Sequence, residues 1–263
     1  MVTRQILLEV SEVGSLNVKE LKKRLRNEVW RVLEERNIAK FPRPVYGRIP
    51  NFIGSEVAAH KLTQLEVFRR AKVVKVNPDS PQQPVRLTAL REGKLVVMPT
   101  PRLREGFLLI DPSRIPRYAI HDASTIRGAF RWGIKVKPWD LPKIDLIVIG
   151  SVVIDRKCLR VGKGGGYAEL EYGILKEVGV VNNSTPIVTT VHDVQLLNVD
   201  IPPEPHDLYV DLIITPSRII KCSKVYRPKG IYWELITKDM LIKIPVLAEL
   251  KSRLNNLKGL LST

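Results

Sequence analysis

Arg160-Val-Gly-Lys-Gly-Gly-Gly-Tyr167 gathers in one short stretch the groups that phosphate binding needs. Glycines admit positive φ and let a ligand approach the backbone closely. The free N–H groups at the start of a following helix supply donors and a positive dipole end. Arg160 and Lys163 add full charges beside them. An almost continuous apolar run, 144–154, precedes the loop and a helix-like segment, 168–176, follows it, so the layout is strand, loop, helix. The expected guest is a polyphosphate such as that of ATP. A Walker A loop is excluded, because Lys163 sits inside the glycine run with no hydroxyl residue after it. A dinucleotide fingerprint counted from Gly162 would need glycine at Tyr167, and no acidic residue follows at the required distance. The alternative is a glycine-rich turn that only packs helix on strand.

Carboxylates lie close by. Glu169 falls in the first turn of the helix after the loop, where bound phosphate would repel it unless a cation intervened. Mg²⁺ suits that place, since it takes one or two carboxylates together with phosphate oxygens and water. A helix N-terminus also stabilises an acid with no ligand at all. Further on, Glu204-Pro-His-Asp207-Leu-Tyr-Val-Asp211 sets two aspartates just before an apolar strand. One of them is a candidate to complete a metal site with Glu169; otherwise Asp207 is a turn residue and Asp211 a solvent-facing strand position. His192 and His206 each precede an aspartate. Neighbours on a strand face opposite ways, and the chain has no Gly-x-Ser-x-Gly elbow, which argues against hydrolase chemistry.

The elements that hold these residues can be read from periodicity. Residues 16–36 form an amphipathic helix with Asn17 as N-cap and Leu21, Leu25, Val29, Val32 and Leu33 as its apolar stripe. Lys19, Lys22, Lys23 and Arg26 make a basic strip on an adjoining face, either solvated or reaching an anion. Residues 41–54 are too rich in proline for a helix and too aromatic for a flexible linker, and read as an ordered loop. Helices are expected over 56–69, 85–91 and 244–257, and strands over 71–76, 95–99, 144–154, 187–191, 212–215 and 230–236. Such alternation defines an α/β layered sheet. No internal repeat or low-complexity tract interrupts it.

The 263 residues, 44% hydrophobic and 27% charged, have the composition of a globular protein with one large core or two modest domains. No apolar stretch reaches membrane-spanning length and the N-terminus lacks a signal-peptide apolar region, so the expected location is cytoplasmic with no membrane partner. Cys158 and Cys222 stand far apart in no metal-binding pattern, leaving a single bridge open. The net charge of +16 is unevenly spread: +8 over residues 1–75, +6 over 76–143, −5 over 144–217 and +7 over 218–263. A basic shell around an acidic centre fits an enzyme that attracts anions and holds a metal, and it also fits a nucleic-acid groove. Aromatic residues make up only 6% and no strand is rich in Phe or Tyr, so any nucleic-acid binding is expected to be weak, non-specific and salt-sensitive.

Together these segments resemble the 5-formyltetrahydrofolate cyclo-ligase family, also called 5,10-methenyltetrahydrofolate synthetases. The family pattern is an apolar strand ending in Asp, then Arg-x-Gly-x-Gly-x-Gly-Tyr-Tyr-Asp, then Asn/His-Asp-x-x-x-Asp. This chain has Asp155, Arg160-Val-Gly-Lys-Gly-Gly-Gly-Tyr-Ala-Glu169 and His206-Asp-Leu-Tyr-Val-Asp211, while Lys22-Lys-Arg-Leu-Arg26 is similar to the family's Lys-x-x-Leu-Arg. Phe41-Pro-Arg-Pro, Arg48-Ile-Pro-Asn-Phe, Pro99-Thr-Pro-Arg-Leu-Arg104, Gly164-Gly-Gly-Tyr-Ala-Glu-Leu-Glu-Tyr172 and Val191-His-Asp-Val-Gln195 further resemble a subgroup of animal members in which an RNA-recognition module follows the domain. No aromatic motif of such a module occurs here.

The resemblance implies a three-layer, Rossmann-like α/β sheet flanked by helices, of the NagB/RpiA/CoA-transferase-like kind. It implies one domain over 1–263, with an N-terminal helical region 1–70 and a basic C-terminal extension 218–263. It also implies an ATP-dependent ligase acting on a folate or related pterin. The formyl oxygen of 5-formyltetrahydrofolate is phosphorylated, the neighbouring amine closes the ring, and phosphate leaves as the 5,10-methenyl form appears. Carried over position by position, Lys22, Arg26, Arg160, Gly162, Lys163, Gly164, Gly165, Gly166 and Tyr167 hold the triphosphate. Lys22, Arg160 and Lys163 act in catalysis, and Glu169 and Asp207 coordinate Mg²⁺. Two departures stand out. Ala168-Glu169 replaces Tyr-Asp, and Asn77-Pro-Asp-Ser-Pro-Gln-Gln-Pro84 replaces the family's acidic substrate-binding segment. The alternative is a non-catalytic or RNA-binding protein on a degenerate cyclo-ligase fold.

Overall fold

The computed structural model describes residues 17–223 and 226–261; residues 1–16 of the expected N-terminal region lie outside the described residues. Helix α1 (Val18–Glu35) begins where Asn17 Oδ1 accepts the Glu20 N–H at 2.9 Å, as the N-cap reading requires. An ordered loop leads to α2 (Ser55–Gln64) and α3 (Glu66–Arg70), which are separated by an extended Leu65, so the single helix expected over 56–69 is broken in two. Then follow β1 (Val73–Val76), α4 (Gln83–Arg91), β2 (Leu95–Pro99), β3 (Phe107–Ile110), α5 (Ile120–Ala123), α6 (Ile126–Trp132) and β4 (Ile134–Val136). The apolar run 144–154 divides into β5 (Leu146–Ile149) and β6 (Val153–Ile154), and β7 (Arg160–Val161) pairs with β6 as a separate antiparallel ribbon. After α7 (Tyr167–Glu177) come β8 (Ile187–Thr190), β9 (Leu212–Ile214), β10 (Ile219–Lys221), α8 (Lys238–Lys243) and α9 (Pro245–Leu261).

The main sheet has eight strands in the order β10-β9-β8-β5-β1-β2-β3-β4. Its central strands β9, β8, β5, β1 and β2 are parallel, while β3, β4 and β10 are antiparallel to their neighbours, with β4 and β10 at the edges. A parallel sheet covered on both faces needs apolar side chains on both. Val73, Val97, Ile147, Ile187 and Ile213 pack toward α7 and α9; Val74, Val76, Val96, Met98, Leu146, Val148 and Val188 pack toward α2, α4 and their neighbours. A third apolar cluster joins α1 to the β6–β7 ribbon through Leu25, Val29, Leu33, Val152, Leu159 and Val161.

The chain moves from β1 outward to β2 and later returns to the other side of β1 as β5. In such sheets the crevice beyond the carboxyl ends of the strands, where the winding reverses, is the natural ligand site. The C-terminal segment is part of this body: Ile244, Val246, Leu247 and Leu250 are buried in the main core. Residues 230–236 do not form the expected strand. The Ile231 N–H goes instead to Glu177 Oε1 at 3.1 Å, and a 3-10 turn covers Trp233–Leu235. Cys158 and Cys222 are joined as a disulfide across 64 residues of chain. No helix among the described residues is long and apolar enough to cross a membrane.

Candidate active site

At the carboxyl ends of β1 and β2 lies a cleft of about 870 Å³, and the residues singled out by chemistry converge on it. The glycine loop forms one wall. Gly164 (φ 103°) and Gly166 (φ 67°) occupy the left-handed region, Gly166 as the N-cap of α7. Space beside the loop is limited at two glycines: a Cβ on Gly162 would lie 2.7 Å from Arg160 Nη2, and one on Gly164 would lie 3.3 Å from Arg26 Nη2. Two guanidinium groups therefore lie directly against the loop. Burial lowers the Arg26 pKa, partly offset by the nearby Glu169 carboxylate.

Arg160 is buried. Its Nε donates to the Gly150 carbonyl at 2.8 Å, at the end of β5, and its Nη1 pairs with Glu169. Lys22, brought in by α1, donates to Asp207 Oδ1 and Oδ2 at 2.7 and 2.6 Å and to Glu204 Oε2 at 2.7 Å. The hydrogen bond from Lys22 holds the Glu204 carboxyl below its usual range. Lys163 is half exposed, with Nζ 3.4 Å from Asp79 Oδ1 across the cleft. Each expected metal ligand is thus partnered by a cation, Glu169 by Arg160 and Asp207 by Lys22. Asp207 also accepts the Glu204 N–H at 2.7 Å, which is the turn contact expected of it, while its side chain lines the cleft.

Ligand atoms of Glu204, His206 and Asp207 come within 4.8 Å of one another, and His206 Nδ1 is buried without a hydrogen-bond partner among the described residues. Carboxylate oxygens are the donors that Mg²⁺ takes, so Glu204 and Asp207 suit that ion better than the imidazole does, while Glu169 stands outside this cluster, paired with Arg160.

Several site residues carried no signal strong enough to be assigned a role from sequence. Arg86, fully buried on α4, donates to the carbonyls of Ser124 (2.8 Å), Asp79 (3.2 Å) and Asn77, bracing the loop that follows β1. Burial lowers its pKa to about 10. Lys75 and Glu171 form a buried ion pair at 2.5 Å beneath the cleft. Burial raises the Glu171 pKa against the opposing pull of Lys75. Asp211 is not a cleft residue; it is half-buried immediately before β9. It accepts the Ile187 N–H at 2.7 Å and pairs with Arg227. His192 caps the 3-10 turn Asp193–Gln195, away from any nucleophile role.

A mixed α/β sheet with a cation-lined glycine loop beside the carboxyl ends of its central strands defines the broad class of the chain, an α/β protein with a cleft at that edge, and comparison narrows the class. Residues 18–216 match the 5-formyltetrahydrofolate cyclo-ligase family, and the chain belongs to that family. It is 42% identical over 246 residues to the methenyltetrahydrofolate synthase domain-containing protein of Danio rerio, covering 91% of this chain and 64% of that protein. With the protein of the same name from Homo sapiens it shares 41% identity over 238 residues, covering 88% of this chain and 62% of the relative. The chain thus spans less than two thirds of the length of these relatives. The solved structure of Aquifex aeolicus 5,10-methenyltetrahydrofolate synthetase aligns at a TM-score of 0.49 and 19% identity, over 82% of this chain and 100% of that one.

Proposed function

We propose that this chain is an ATP- and Mg²⁺-dependent cyclo-ligase that converts 5-formyltetrahydrofolate, or a related one-carbon pterin, to its 5,10-methenyl form with release of ADP and phosphate. The observation that carries this reading is the convergence of Lys22, Arg26, Arg160 and Lys163 on the glycine loop in one cleft that also holds Glu169 and Asp207. The N–H groups at the start of α7 and the guanidinium of Arg26 receive phosphate oxygens, and Lys163 reaches in from the rim. Lys22 and Arg160 exchange carboxylate partners for phosphate oxygens, leaving Asp207 and Glu169 to hold Mg²⁺. When bound, that ion neutralises charge on the transferring phosphoryl group. The protein's own task is to align the formyl oxygen with the terminal phosphate and keep water out, since the ring-closing amine is supplied by the substrate. A cytoplasmic setting belongs to this reading, and there a disulfide such as Cys158–Cys222 is the exception rather than the rule.

The experiment is a substrate screen with Mg-ATP that follows phosphate release. We expect release to depend on 5-formyltetrahydrofolate or a related carrier and to match methenyl product mole for mole. Background hydrolysis unaffected by every one-carbon pterin would refute the assignment.

A further inference from the structure

Beneath the phosphate-binding wall lies a charged group that the nucleotide reading does not use. In β1 alternate residues face opposite sides of the sheet, so Lys75 shares the α7 face with Val73 and is only 2% exposed. A buried ammonium requires partners. It finds Glu171 Oε2 at 2.5 Å and Asn77 Oδ1 at 3.0 Å, while Asn77 Nδ2 lies 3.4 Å from the same Glu171 oxygen. Both hydrogen bonds accepted by Glu171 therefore end on Oε2. Its Oε1 accepts none among the described residues, although the side chain is almost wholly buried and lines the cleft together with Asn77. An ionised carboxylate has about four lone-pair positions, so two remain on Oε1 for donors arriving from the cleft.

We propose that Glu171, anchored by Lys75 and Asn77, is the specificity-determining carboxylate of the cleft and receives a planar heterocycle with adjacent N–H donors, such as the 2-amino-4-oxo edge of a pterin. This rests on the cyclo-ligase reading of the cleft and says where the one-carbon carrier lies within it. Adenine fits the place poorly, because its amino donor is flanked by a ring nitrogen acceptor whose lone pair would face the carboxylate. Glu171 follows Tyr167 by one turn of α7, about 6 Å along the axis. One helix thus presents phosphate donors at its first turn and a ring acceptor at its second, giving the cleft two distinct poles.

The test uses the full chain and two small probes, 2-amino-4-oxopteridine and the same ring without the 2-amino group, with Mg-ATP as a third ligand, all by calorimetry. The wild type is expected to bind the amino compound about tenfold or more tightly than its analogue, the size of one charge-assisted hydrogen bond. Glu171→Gln is expected to abolish that preference while Mg-ATP still binds. Should that variant fail to fold, the wild-type comparison alone decides. Equal affinity of the wild type for both rings overturns this inference and leaves the cyclo-ligase reading standing. Binding of Mg-ATP with no binding of either ring overturns the inference together with the folate half of the reading, and absence of Mg-ATP binding as well overturns the nucleotide half too.

Discussion

Lys22 Nζ touches three carboxylate oxygens while Arg160 holds Glu169, so the cations and anions of the site neutralise one another. Buried pairs of this kind contribute little net stability, because desolvation offsets most of the attraction. On the proposed reading they are oppositely charged groups that part when a polyanion and a divalent cation enter together. Glu169→Gln and Asp207→Asn keep side-chain size and delete charge, and Glu204 remains to pair Lys22 in the second variant. Each substitution is expected to weaken Mg²⁺-dependent nucleotide binding by about tenfold or more while lowering Tm by only a few degrees. Titration calorimetry with and without Mg²⁺, beside thermal melts, would check this. Melting losses on the scale of the binding losses would show that the two carboxylates serve only the helix start and the turn. The glycine loop and its flanking charges were legible in the sequence because they are local. The Lys22–Asp207 contact was not, since 185 residues separate the partners. Lys75 and Glu171 left a fainter sign, a charge inside the apolar strand run Val73-Val-Lys-Val76 and another on the buried face of α7.

Gly150 ties strand β5 to the site in two ways. Its carbonyl anchors Arg160, and its missing Cβ leaves room for Ile49, whose Cγ2 would lie 2.7 Å from an added methyl group. Gly150→Ala overpacks a buried junction between the loop before α2 and the end of β5. That is expected to cost about 1–3 kcal/mol, more than the ~0.4–1 kcal/mol alanine gains by stiffening the unfolded chain. Denaturant unfolding would measure it, and a variant as stable as the wild type would mean that Ile49 moves aside freely. The central strands were readable as apolar runs because both faces of the sheet are covered. The antiparallel strands β3, β4 and β10 were not. Two of them, β4 and β10, carry exposed Ile134, Lys135, Ile219 and Lys221, whose pattern signals no buried face. Residues 230–236 have strand-like composition, yet the backbone at Ile231 is taken by Glu177 and packs against Gly173 of α7. A tertiary partner outcompeted the local preference.

Across the molecule, the acids of the cleft come largely from the one acidic stretch, 144–217, whereas Lys22 and Arg26 come from the basic N-terminal stretch. Folding brings the two together, and the surrounding positive charge raises the local concentration of anionic ligands. The Cys158–Cys222 bond fastens the turn after β6 to the segment after β10. Closing a loop of 64 residues stabilises the fold by about 4 kcal/mol in the chain-entropy estimate. Cys222→Ser, or reduction of the wild type, is expected to shift the denaturant midpoint accordingly; an unchanged midpoint would show that the bond contributes nothing to the folded state's advantage. The claim on which the rest depends is that this cleft is a Mg-nucleotide site with its phosphates at the glycine loop. Isothermal titration of Mg-ATP into the wild type and into a protein carrying both Arg26→Ala and Lys163→Ala tests it most directly. Saturable binding to the wild type, weakened by about a hundredfold when both charge-assisted contacts are removed, is the predicted result; no binding to the wild type, or equal affinity for the double variant, would contradict it.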